Sequence, residues 1–114
     1  MDCIDVFSGF GGAALGLARA GMRHILAVEM NPFAALSHLT MFPETPVCLK
    51  NMFLYSFREI CEQYRIDRKF CGLVWLSPPC QSFSSGGKKE TESDQRSSLL
   101  FKAIEAAEFC PLAW

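Results

Sequence analysis

Residues 76–83 read Leu-Ser-Pro-Pro-Cys-Gln-Ser-Phe, and they place a thiol where a hydrophobic run gives way to a polar loop. Cys80 there follows Pro78 and Pro79, whose rings restrict the local backbone and hold the sulfur in a defined place. A reacting atom needs that restraint, because effective concentration collapses when it wanders. A second stretch, Asp5-Val6-Phe7-Ser8-Gly9-Phe10-Gly11-Gly12, runs from an apolar segment into three glycines in four positions. Such a turn lets backbone approach a ligand closely, and the amides at the following helix start can meet an electron-rich group. Glu29 closes the next apolar segment, where an acid can accept hydrogen bonds from both hydroxyls of a ribose. Ala14 takes the third glycine place of a dinucleotide fingerprint, so the turn suits a nucleoside-containing ligand, a nicotinamide cofactor or S-adenosylmethionine, and taken alone it is also compatible with a tight turn beside a surface acid. A thiolate beside such a ligand suits one kind of chemistry. It adds to an electron-poor carbon and turns the neighbouring carbon into a nucleophile, which collects a group from the cofactor.

The elements that must position these residues alternate. Residues 2–7 predict a buried strand, Gly12 to Gly21 a small-residue helix, and "RHILAVEM" a second strand ending near Glu29. Pro32 suits the first turn of a helix to about Met41, where its missing amide hydrogen costs nothing. Residues 45–49 predict a third strand, and Met52 to Arg65 an amphipathic helix with Leu54, Phe57, Ile60, Cys61 and Tyr64 on one stripe. "KFCGLVWLS" is continuous enough in apolar residues to predict a strand buried on both faces, and Ser98 to Phe109 returns to helical spacing. Units of this size predict an α/β fold with a mostly parallel sheet and flanking helices. The first and fourth strands are then neighbours at the switch point, with Cys80 close to whatever the glycine turn holds.

Bulk properties narrow the partners. The chain has 114 residues, enough for one domain, and is 50% hydrophobic, which favours a packed core over disorder. With 11 basic and 12 acidic side chains it shows no concentrated basic face of the kind that drives tight nucleic-acid binding by itself. Six cysteines without a CxxC pair, and no signal-peptide pattern, argue against a disulfide or zinc framework and for a reducing, intracellular setting. Cys3, Cys61, Cys71 and Cys110 are expected to be core or half-buried thiols. No apolar stretch approaches the roughly 20 residues of a membrane span. The helical pattern running into Cys110-Pro111-Leu112-Ala113-Trp114 leads us to expect an architecture cut short.

Taken together, these stretches resemble the amino-terminal part of a DNA (cytosine-5)-methyltransferase. "DVFSGFGGAALGLARAG" is similar to the family's first cofactor motif, "AVEMNPFAALSH" to its second, "SPPCQSFSSGG" to its catalytic motif and "DQRSSLL" to the next. The resemblance implies an incomplete Rossmann-like class I methyltransferase fold over residues 1–114, with S-adenosylmethionine as cofactor, duplex DNA as partner and no metal. It implies Cys80 as nucleophile towards a flipped-out cytosine, and Phe7, Ser8, Gly9, Phe10, Gly11, Gly12, Glu29, Met30, Asn51, Pro79 and Leu100 around the cofactor. Pro78, Gln81, Ser84, Asp94 and Arg96 would support the loop or the substrate. The implied setting is the cytoplasm of a bacterium or the nucleus of a eukaryote.

The chain also departs from the family pattern. Asn51 stands where the family carries an Asp that accepts from the adenine amino group, and Leu76-Ser77 stands where a Gly-Gly is usual. No Glu-Asn-Val run occurs, so the glutamate that binds the cytosine edge is missing, as are the later arginine motif, the region that reads DNA sequence and the last cofactor motif. Asp2, Glu44 and Glu90 cannot be promoted into that role merely because they are acids. Little or no activity is therefore expected of the chain alone. The alternative is a non-catalytic Rossmann-like remnant, or one chain of a split methyltransferase that binds a nucleoside ligand or a complementary methyltransferase chain.

Overall fold

The computed structural model describes residues 1–67, 72–77 and 101–109. Its elements are β1 (Asp2–Val6), α1 (Gly12–Arg19), β2 (Arg23–Val28), α2 (Pro32–Met41), β3 (Val47–Cys48), α3 (Phe57–Gln63) and β4 (Gly72–Leu76). A further helix, α4, covers residues 101–109. The strands form one parallel sheet in the order β3-β2-β1-β4. The predicted alternation and the pairing of the first and fourth strands both stand.

Side chains that alternate along each strand divide the core into two layers. Ile4, Val6, Leu26, Val28 and Val74 pack on one face with Phe57, Ile60 and Cys61 of α3 and Ala106 and Phe109 of α4. The Phe57 and Phe109 rings meet edge to face, with centroids 5.6 Å apart. On the other face lie Cys3, Asp5 and Ala27, and small buried residues, Ala14 of α1 and Ala34 and Ala35 of α2, let those helices settle close to the strands. Cys3, Cys48 and Cys61 are buried, and burial pushes the Cys3 thiol up to about 11. Cys71 and Cys110 lie outside the described residues.

Two expectations need correction. The helix predicted from Met52 to Arg65 forms only over Phe57–Gln63. Asn51 takes the backbone another way: its Oδ1 accepts from Phe53 N at 2.9 Å and its carbonyl from Leu54 N and Tyr55 N, which closes a turn. Ser56 then caps α3, its Oγ accepting from Glu59 N at 3.1 Å, and Leu54 is left in solvent. The second correction concerns β4. It is not covered on both faces among the described residues, since Val74 is buried but Trp75, on the opposite side, is 41% exposed. The physical reason is the crossover pattern. Among the described residues α1 packs on β2 and α2 on β3, whereas Val74 of β4 joins the core that α3 and α4 cover.

Candidate functional site

The site begins where β1 ends. Phe7 adopts a left-handed backbone, φ 59, which few non-glycine residues hold, and Gly9 and Gly11 follow at φ 58 and 101. At Gly11 the backbone conformation itself favours glycine, and an added Cβ would only touch the ring of the buried His38, at 3.4 Å. Ser8 N donates to Val28 O at 3.1 Å, stitching this turn to the end of β2.

Glu29 is the hub. Its Oε1 accepts from Gly9 N at 2.9 Å and its Oε2 from Asn31 N at 2.8 Å. Its own amide donates to Cys48 O of β3 at 2.9 Å. One residue thus ties together the loops after β1, β2 and β3. A carboxylate has about four acceptor directions, so two remain for a ligand. Asn31 in turn caps α2, its Oδ1 accepting from Phe33 N and Ala34 N, with Pro32 in the first turn.

Beside Glu29 opens a cavity of about 300 Å³, lined by Phe7, Val28, Met30, Asn31, Lys50, Met52, Phe53 and Ser77 as well as Glu29 itself. It lies beyond the carboxyl ends of the strands, as expected for a parallel sheet. Ser77, which follows β4, donates its amide to Val6 O at 3.1 Å and precedes Cys80 by three positions.

Beneath the glycine turn, Asp5 is fully buried, and neither carboxylate oxygen has a hydrogen-bond partner among the described residues. Burial, and then the charge of Glu29, push its pKa up to about 7. A protonated Asp5 puts no second negative charge under Glu29. His38, also buried without partners for either ring nitrogen among the described residues, is held below the ordinary histidine value by burial and by His24 nearby.

Of the residues named from the sequence, Phe7, Glu29 and Met30 line the cavity, and Gly9 reaches it through its bond to Glu29. Ser8 is buried beside it with its hydroxyl unpartnered among the described residues. Phe10 is exposed, and Phe10, Gly11 and Gly12 are not part of the lining. Asn51 is not part of it either, its amide oxygen being engaged in the turn. Pro78, Pro79, Cys80, Gln81, Ser84, Asp94, Arg96 and Leu100 lie outside the described residues. Sequence reasoning missed Val28, Asn31, Lys50, Met52, Phe53 and Ser77. The signal was their position at or just after the ends of β2, β3 and β4, where a parallel sheet presents its ligand sites. Among the described residues no group of three or more His, Cys, Asp or Glu is placed to hold a metal.

A family model described as C-5 cytosine-specific DNA methylase matches residues 1–110. The chain belongs to this family. It is similar to the type II methyltransferase M.AquIA of Picosynechococcus, at 33% identity over 89% of this chain and 41% of the relative. It is also similar to the type II methyltransferase M1.HphI of Haemophilus parahaemolyticus, at 35% identity over 87% of this chain and 26% of the relative. Among solved structures, a prophage-encoded DNA modification methyltransferase of E. coli superposes with a TM-score of 0.73 at 27% identity. That match covers 96% of this chain and 29% of the other. The family member therefore spans less than half the length of these relatives. No described helix is long and apolar enough to cross a membrane.

Proposed function

We propose that this methylase-family chain is the cofactor-binding and nucleophile-bearing portion of a DNA (cytosine-5)-methyltransferase. The observation that carries the reading is Glu29, fixed by the Gly9 and Asn31 amides at the mouth of an apolar cavity, in a chain whose family is established. The residues present fit S-adenosylmethionine. Glu29 keeps free acceptor directions for ribose hydroxyls, and Phe7, Met30 and Met52 supply apolar walls. When bound, the cofactor supplies an electrophilic methyl group.

In this proposal Cys80 is the catalytic residue. Its thiolate Sγ forms a bond to C6 of a cytosine flipped out of duplex DNA. The ring electrons move to C5, which would take the cofactor's methyl group as the sulfonium–methyl bond breaks and S-adenosylhomocysteine leaves. Loss of the C5 proton then expels the thiolate and restores the ring. Pro78 and Pro79 restrict the sulfur, and Gln81, Ser84, Asp94 and Arg96 support the loop and the substrate. The setting is intracellular, in bacterial cytoplasm or a eukaryotic nucleus.

The cytosine-binding glutamate of the family is not among the 114 residues, so these residues by themselves do not supply that contact. Alone, the chain is expected to bind S-adenosylhomocysteine but to transfer essentially no tritiated methyl to mixed-sequence duplex DNA, since several transition-state contacts are missing together. Glu29→Ala is expected to weaken that binding about tenfold or more, measured by calorimetry. Failure of the wild-type chain to bind would overturn the cofactor reading. Robust Cys80-dependent turnover by these 114 residues would overturn the expectation that they are inactive alone.

A further inference from the structure

The geometry points to Phe53 as the residue on which the adenine base stacks, a recognition by aromatic contact in place of a polar one. The inference rests on the cofactor reading above and deepens it. Glu29 fixes where a ribose lies, and the space beyond it runs towards the loop after β3. Asn51 of that loop does not line the space, its Oδ1 accepting from Phe53 N at 2.9 Å, and of the loop's polar side chains Lys50 alone is in the lining among the described residues. What faces the cavity instead is Phe53, 39% exposed, with its ring centroid 5.8 Å from that of Phe7. An exposed aromatic at the wall of an apolar cavity has a free π face, and every nucleobase has one to match.

The placement is held rather than incidental. The Asn51 carbonyl accepts from Leu54 N at 3.0 Å and from Tyr55 N at 3.3 Å. Lys102 Nζ on α4 donates to Tyr55 O at 3.0 Å, and Lys50 Nζ sits 4.7 Å above the Tyr55 ring. The turn that presents Phe53 is therefore clamped on both sides before any ligand arrives, which lowers the ordering cost of binding. Asn51 acts here as a positioning residue for the ring.

The test uses the full 114-residue chain and S-adenosylhomocysteine. Phe53→Ala and Phe53→Leu are expected to weaken binding about tenfold or more, with melting temperatures near wild type because the ring is half exposed. Phe53→Trp is expected to bind within a few-fold of wild type and to show indole quenching on ligand addition beyond that of the wild-type tryptophans. A Leu variant that binds as tightly as wild type, or a Trp variant without added quenching, overturns the stacking role while wild-type affinity leaves the cofactor reading standing. No binding by the wild-type chain overturns both.

Discussion

Asp5 lies fully buried on β1 with no hydrogen-bond partner among the described residues, and its pKa of about 7 stands above the 3.8 of an unperturbed Asp. In the unfolded chain it ionises near pH 4, whereas in the folded chain it keeps its proton to near neutrality. The folded state thus binds more protons between those values, and the group's contribution to stability falls as pH rises from about 4 through about 7. Asp5→Asn removes the ionisation while keeping the shape. It is expected to stabilise the fold by about 1–3 kcal/mol at pH 8 and by little at pH 4. The upper limit follows from about 1.4 kcal/mol for each tenfold change in proton affinity, offset by the cost of a buried amide. Urea unfolding at the two pH values checks the sign. Phe7 carries strain of another kind, a left-handed backbone costing of the order of 1–3 kcal/mol, kept at the mouth of the cavity.

At the scale of elements, α4 matters less as a helix than as a brace. Lys102, nearly buried, donates from Nζ to Tyr55 O and pairs with Glu105 at 3.3 Å, while Glu105 Oε2 accepts from Phe57 N at the start of α3. Lys102→Met keeps most of the volume and removes the donor. An expected loss of about 1–3 kcal/mol in urea unfolding follows from the partly buried carbonyl and carboxylate left behind. The same turn shows what was and was not legible in the sequence. β1, α1, β2 and α2 could be bounded because Gly12, Gly21 and Pro32 punctuate them, and α2 runs from Pro32 to Met41 as expected. α3 was overextended because the apolar spacing of Leu54 and Phe57 suits a helix. Asn51 and Ser56 instead give backbone amides local partners, and the capping spacing from Ser56 to Glu59 was present to be read. The cavity was half legible for the same reason. Phe7, Glu29 and Met30 belong to motifs, whereas Lys50, Met52 and Phe53 follow a strand of only two residues, too short for periodicity to announce.

For the whole molecule, acid stability is a sum of opposed contributions from one side of the sheet. Burial lowers the pKa of both His24 and His38, whose rings lie 6.4 Å apart. Their folded values lie below the unfolded 6.5, so the unfolded chain binds more protons as pH falls past that point and stability is lost. Asp5 moves the other way over the same range. The intact chain is therefore expected to show a shallow melting-temperature profile between about pH 7 and 4.5, and Asp5→Asn a steeper acid decline. A histidine-free chain with an unchanged acid limb would refute this account. The arrangement also separates duties by layer: the α3–α4 side supplies most of the apolar core and braces the loop after β3, while the α1–α2 side carries the titrating groups beneath the glycine turn.

Both oxygens of Glu29 are anchored by the chain's own amides. A group so pinned cannot swing to follow whatever enters; it works as a fixed gauge. In the cofactor reading proposed above, a ligand sugar lacking one hydroxyl would leave an open lone pair of Glu29 without a donor, so the pinned carboxylate would favour ribose over deoxyribose.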